Sequence, residues 1–358
     1  MIIFTSRLSL KVKKVFVTYF FLLLMLVACG GNDKGGVQKG EWTFAPPAGV
    51  ALDTVLIDTM DIRNPFICYE RGDECYYMTG DGGFVWMSKD LRHWTGPYDV
   101  LEQDAASWIG AEPVVTSPEI HKYNGKYYYM ATFERPDVVV TGADGKPFAR
   151  RSCVALVADG IRGPYRTTDV NSSLLVENEM AAHPTFGIDY IYAPYMIYTH
   201  QGEQNGNGTV QIIRFSENLG RRVGEAYIMF SASKNAWSGN VVDGERRFSP
   251  VMEAPFLFVT DEKEMGILFT SYIGGEKAIG VAYTQTGEYG YNGPWVVDPQ
   301  PLLTGNVCSA SIFRDFDGTM VLAVGKEMLI DGVVKSVPQL YKLDMQFGKL
   351  KIEGHYKF

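Results

Sequence analysis

The chain has 358 residues, 46% hydrophobic and 13% aromatic, enough to bury a large core. Its formal net charge is −8, and residues 1–28 carry four cations and no acids, so the remainder stands at −12. So acidic a surface excludes nucleic acid as the expected partner and suits a neutral ligand such as a sugar.

The first segment is not part of a fold. Arg7, Lys11, Lys13 and Lys14 precede an apolar run from Val15 to Val27, then Ala28 and Cys29. A basic start, a short apolar run and small residues at its end make a secretory signal, and the run is too short for a membrane span. Leu26-Val27-Ala28-Cys29 before Gly30 resembles a bacterial lipobox, in which the cysteine is lipidated and becomes the new N-terminus. The expected layout is a signal over 1–28, a flexible glycine-rich tether over 29–50 and one domain over 51–358. The mature protein is then exported and held on a bacterial membrane, in the periplasm or at the cell surface, by a lipid on Cys29.

Four cysteines follow. Cys68 and Cys75 flank a polar turn and are candidates for a cross-hairpin disulfide. Cys153 and Cys308 are isolated and read as buried thiols. No CxxC pair and no zinc spacing occurs, so no metal site is expected.

Five segments then repeat one layout. They open at Arg63 (RNPFICYERGDECYYMTG), Thr116 (TSPEIHKYNGKYYYMATF), Ala182 (AHPTFGIDYIYAPYMIYTH), Met252 (MEAPFLFVTDEKEMGILFTSY) and Ser309 (SASIFRDFDGTMVLAVG). Each has a polar or small residue, usually beside a proline, then an apolar strand, a turn and an aromatic-rich strand. An alternating strand and an outer strand follow. Corresponding turns at Leu91, Ile161, Leu219, Gly287 and Phe347 recur roughly every 60 to 70 residues. Helical periodicity is almost absent. Many short strands at a fixed period predict an all-β, five-bladed β-propeller; a sandwich with as many strands leaves the period unexplained.

The repeat also places a site. The first strand of each propeller blade lies innermost, so residues at its start face the mouth of the central channel. These are Asn64, Ser117 with Glu119 close by, His183, Glu253 and Ser309. Any one of them can simply satisfy a strand end. Five aimed at one funnel, two of them acidic, point to binding or catalysis, because buried polar groups are costly unless bonded or used. Among the many aromatic residues, Trp108 in SWIGAEP and Trp237 in KNAWSGN lie in loops and are the candidates for stacking on a sugar. His200, ending YMIYTH, is a further channel candidate. His121 is expected on the face opposite to Glu119, and GDGG at 80–83 reads as a plain turn.

Taken in order, IRNPFI at 62–67, KDLRHWTGP at 89–97, SPEIHKYNGKYYYMAT at 117–132, HPTF with APYMIYTH at 183–200, EAPFLF at 253–258 and GVAYT before GPW at 293–295 resemble glycoside hydrolase family 43. These are five-bladed propeller hydrolases of arabinose- and xylose-containing glycans, and the resemblance spans about Asp61 to the C-terminus. It implies an inverting mechanism in which one carboxyl protonates the leaving oxygen and another activates water on the opposite ring face, roughly 6.5–9.5 Å away. An aspartate in the third blade tunes the acid.

Carried over by position, Glu253 matches the acid. The base position holds Asn64 and the tuning position His183. A histidine that some members use near an ion or water cluster is Ser309 here. An amide cannot take a proton from water, and a protonated histidine would lower the pKa of a neighbouring acid. Two readings follow. In one the protein is a glycosidase with a relocated base, from Asp61, Glu119 or neutral His183. In the other it binds oligo- or polysaccharides without cleaving them. No cofactor is called for; a calcium ion in the channel is compatible with the resemblance but not indicated by the residues.

Overall fold

The structure, a computed structural model, describes residues 42–358 except 103–106, 111–113, 169–178, 190, 239–241, 244–245, 248–250, 286–290 and 292. The expected signal, Cys29 and most of the tether lie outside the described residues. Residues 44–358 form one compact unit.

Five antiparallel sheets follow one another along the chain. Blade one comprises β1 (Asp53–Leu56), β2 (Phe66–Glu70), β3 (Cys75–Thr79), β4 (Phe84–Ser88) and β5 (His93–Asp99). Blade two comprises β6 (Val114–Tyr123), β7 (Lys126–Thr141), β8 (Pro147–Ala158) and β9 (Arg166–Thr167). Blade three comprises β10 (Ala181–Ile188), β11 (Pro194–His200), β12 (Thr209–Phe215) and β13 (Arg222–Ser231), followed by a small hairpin, β14 (Val242–Asp243) with β15 (Arg246–Arg247). Blade four comprises β16 (Glu253–Val259), β17 (Met265–Ile273), β18 (Glu276–Thr284) and β19 (Trp295–Val297). Blade five comprises β20 (Val307–Arg314), β21 (Met320–Ile330), β22 (Val333–Gln346) and β23 (Lys349–His355).

The innermost strands β2, β6, β10, β16 and β20 touch in turn, and β20 meets β2. The five-bladed propeller read from the repeat is therefore the fold. Blade one adds a strand that the repeat did not anticipate, because β1 pairs with the outer strand β5.

Burial explains the sequence texture. The second strand of a blade is covered on both faces by its neighbours, so β3 reads CYYMT and is buried throughout. The outer strand β23 alternates, with Leu350 buried between exposed Lys349 and Lys351. Blade five is made wholly of C-terminal strands, so the ring closes by packing rather than by a shared strand. Ile67, Met78, Leu91 and Trp94 of blade one interlock with Phe313, Val321 and Leu340 of blade five. Full burial of each such side chain contributes about 1.5–3 kcal/mol. Backbone bonds reinforce the seam, with Ile62 N–H donating to Ser336 O at 2.8 Å.

Cys68 and Cys75 are both free thiols, against the disulfide expected from their spacing. The register is the reason. Cys68 lies opposite Tyr77 and Cys75 opposite Glu70, so the two cysteines are two residues out of register and do not face each other. The Cys75 thiol donates instead to Ser88 O at 3.2 Å.

Candidate active site

Successive strands of a blade are antiparallel. First strands therefore begin, second strands end and third strands begin at one mouth of the channel. A cleft of about 220 Å³ opens there. First strands bring Asn64, His183, Glu253 and Ser309 to it; Asp81 and Gln201 follow the ends of second strands and Lys277 opens a third, while Glu134 and Arg151 face each other within β7 and β8, which run on past the mouth.

Four of the five first strands, β6, β10, β16 and β20, break their ladders at this mouth. The register shifts between Thr116 and Glu119, Ala182 and Thr185, Glu253 and Phe256, and Cys308 and Ser311. At each break one non-glycine residue has a left-handed backbone: Ser117 (φ 48°), His183 (φ 56°), Ala254 (φ 46°) and Ser309 (φ 54°), with Asn64 (φ 55°) matching them in blade one. Such residues cost about 1–3 kcal/mol each and gather at functional sites. The structure thus corrects one equivalence. Ala254, not Glu253, is the counterpart of Asn64, Ser117, His183 and Ser309. Glu253 stands one residue earlier, level with Arg63, Thr116, Ala182 and Cys308.

The bulge residues form a belt. The Ser309 hydroxyl donates to Asn64 Oδ1. Asn64 Nδ2–H donates to Asp81 Oδ1 at 2.7 Å, and the Ser117 backbone N–H donates to the same oxygen at 2.9 Å. Ser117 Oγ and His183 Nδ1 are 2.7 Å apart. The belt spans blades five, one, two and three. It stops at blade four, where alanine has no polar side chain to continue it. Among the described residues no cluster of three or more His, Cys, Asp or Glu side chains is arranged to hold a metal.

Glu253 occupies the gap. Burial raises its pKa above the ordinary carboxylate value, Lys277 and Arg151 pull it back, and Glu327 pushes it up. The two cations are committed elsewhere: Lys277 Nζ lies 2.6 Å from Glu327, and Arg151 Nε lies 2.9 Å from Glu134. Among the described residues no hydrogen bond or ion pair engages the Glu253 carboxyl. Nearby Tyr272 is pushed up to about 12, chiefly by burial and then by the charge of Glu253.

The other candidates separate. Asp61 is exposed, accepts Ser336 N–H at 2.9 Å and does not line the cleft. Glu119 lies deeper, on the far side of the bulge, in the channel proper. It bonds His121 Nε2 at 2.7 Å, against the expectation that His121 faces away, because residues two apart on a strand share a face. His200 is turned from the cleft towards Glu179 (3.3 Å) and Gln204 (2.8 Å). Trp237 is a core residue, stacked on Phe269 at 5.9 Å and donating its indole N–H to Asp298 O, so it offers no face to a sugar. Trp108 packs on the core with Arg135 and Arg150 about its ring, outside the cleft.

Asp81 and Glu134 were missed, although one signal pointed to them. If first strands start at the funnel, second strands must reach it, and Asp81 follows the aromatic run of β3 while Glu134 follows that of β7 within the strand.

The model of glycosyl hydrolases family 43 matches residues 56–327. The chain belongs to that family. Solved structures similar to this family 43 chain include an endo-arabinase from Bacteroides thetaiotaomicron VPI-5482, 22% identical, covering 86% of this chain and 100% of that one with a TM-score of 0.71. An endo-1,4-beta-xylanase of the same organism is 14% identical over 85% of this chain and 97% of its own, with a TM-score of 0.61. An alpha-L-arabinanase of Cellvibrio cellulosa is 12% identical over 82% and 96%, with a TM-score of 0.57. No match was found among curated proteins. As a family 43 member the chain is set apart by its belt, which has an amide at position 64 and an imidazole at 183 where the resemblance implies carboxylates.

Proposed function

We propose that this family 43 protein hydrolyses O-glycosidic bonds of arabinose- or xylose-containing plant-type oligo- or polysaccharides with inversion, using Glu253 as the acid and a base that is not at position 64. One observation carries the reading: Glu253 is a half-buried carboxyl with a raised pKa and no partner among the described residues, set in the cleft between cations paired to other acids. A general acid must hold its proton near neutral pH, and burial favours that. Family membership and the arabinase- and xylanase-titled neighbours support the substrate class.

A second reading is a glycan-binding propeller without turnover. Asn64 favours it, since its amide is locked between Ser309 and Asp81 and has no basic lone pair to offer water. Aryl arabinosides, aryl xylosides and arabinan and xylan fragments discriminate the two. The hydrolytic reading expects product from the wild type and none from Glu253→Gln. Saturable binding with no product from either rejects it.

We further propose that Cys29 carries a lipid that holds the protein on a bacterial membrane. Metabolic labelling with a fatty acid should mark the wild type and leave Cys29→Ser unlabelled.

A further inference from the structure

The relocated base has a place in the belt. In two other blades, the N–H of a bulge residue is received by a threonine on the second strand of the preceding blade. Thr132 Oγ1 accepts from His183 at 2.7 Å, and Thr270 Oγ1 accepts from Ser309 at 2.9 Å. Between blades one and two that task falls to Asp81, whose Oδ1 accepts from Ser117. A single hydroxyl oxygen satisfies the backbone elsewhere. A carboxylate does the same with one oxygen and brings a second oxygen and a charge that the fold does not need.

The bonds around Asp81 are one-sided. Both the Ser117 N–H and the Asn64 amide donate to Oδ1, and no hydrogen bond from a described residue goes to Oδ2. Asn64 is oriented by chemistry: the Ser309 hydroxyl donates to its carbonyl, so its NH2 must face the carboxylate. The carboxyl is therefore fixed in direction by two donors and left with one uncommitted oxygen at the cleft.

The other described carboxylates of the cleft do not match this. Glu134 is engaged by Arg151, and Glu253 has no donor to orient it. Asp61 does not line the cleft, and Glu119 is bonded to His121.

We propose that Asp81 is the general base of this site and that Asn64, at the position where the family resemblance implies the base, is its positioning residue. This rests on the hydrolytic reading above. A water bound at Oδ2 gives a proton to Asp81 as its oxygen bonds to the anomeric carbon. The bond from that carbon to the leaving oxygen breaks, its electron pair stays on the leaving oxygen, and Glu253 protonates it. One water is consumed, the configuration inverts, and the two carboxyls recover their starting protonation through solvent. Burial raises the pKa of Asp81, opposed by its two donors and by the charges of His183 and Arg63, which keeps it a stronger base than an ordinary aspartate.

Steady-state kinetics of wild type, Asp81→Asn, Asn64→Asp and Glu253→Gln on an aryl pentoside and a pentose oligosaccharide test this, with circular dichroism as the folding control. Asp81→Asn keeps the acceptor for Ser117 and Asn64, so the belt survives. It is expected to lower kcat on the order of 10²–10⁴-fold with KM changed little. Asn64→Asp sets a second carboxylate against Asp81, so the acid limb of the kcat/KM profile should move to higher pH with lower activity at neutrality. Full activity in Asp81→Asn, with Glu253→Gln inactive, overturns the assignment while leaving the hydrolytic reading intact. A gain of activity in Asn64→Asp without the limb shift also overturns it. Absence of turnover in the wild type overturns the hydrolytic reading and this assignment together. Should Asp81→Asn misfold, the Asn64→Asp limb shift decides alone.

Discussion

Two half-buried glutamates, Glu253 and Glu119, sit on the innermost strands of blades four and two, and desolvation raises the pKa of both above the ordinary carboxylate value. Their sequences look alike, each within two residues of a proline. Their surroundings do not. Glu253 precedes its bulge, faces the cleft and lacks a partner among the described residues; Glu119 follows its bulge, lies in the channel and is bonded to His121 at 2.7 Å. The bulge is the divide. Glu253, on its N-terminal side, opens onto the cleft, and Glu119, on its C-terminal side, is a paired group of the channel wall.

The contrast can be broken most directly by amide replacement at the two positions. Glu253→Gln should lower kcat/KM on the order of 10²–10⁴-fold. Glu119→Gln should leave kcat/KM unchanged, and a comparable loss there would erase the distinction. Away from both ends, Trp237→Ala removes a core indole and should destabilise by about 3–5 kcal/mol. Urea titration measures this, and an unchanged midpoint would mean that Trp237 is not the core residue its stacking on Phe269 implies.

A smaller effect sharpens the electrostatic half. Lys277 lowers the pKa of Glu253, while Glu327 raises it. Lys277→Met removes the lowering charge and frees Glu327, so both changes push Glu253 the same way. The alkaline limb of kcat/KM should move to higher pH, and no movement would mean that Lys277 does not act on the acid.

The smallest effect concerns stability. The folded-state pKa of Glu119 lies above the ordinary 4.5. The folded chain therefore binds the proton more tightly than the unfolded one, and stability falls as pH rises from about 4.5 through the folded value. Glu119→Gln should flatten that fall in thermal melts taken across the window.

Much of this was legible in the residues. The period of aromatic second strands gives five blades, and an acid before Ala254-Pro255 gives Glu253. Matching Glu253 to Asn64 because both are polar misplaces it by one residue, whereas counting back from proline sets Ala254-Pro255 level with Asn64-Pro65, Ser117-Pro118 and His183-Pro184. What escaped otherwise has a geometric cause. Trp237 reads as a loop residue because its neighbours are polar, yet its ring drops between blades three and four. Asp81 hides in a glycine-rich turn, where an aspartate ordinarily signals only backbone capping. The belt that gives it a role joins Ser309 to Asn64 across 245 residues, a contact that no local pattern encodes.

The central claim is that the cleft of Glu253 cleaves glycosidic bonds with inversion. Time-resolved proton NMR of the first product released by the wild type from an arabino- or xylo-oligosaccharide tests it. The expected result is an initial product of inverted anomeric configuration that then mutarotates. A product that first appears with retained configuration, or no product at saturating binding, contradicts it.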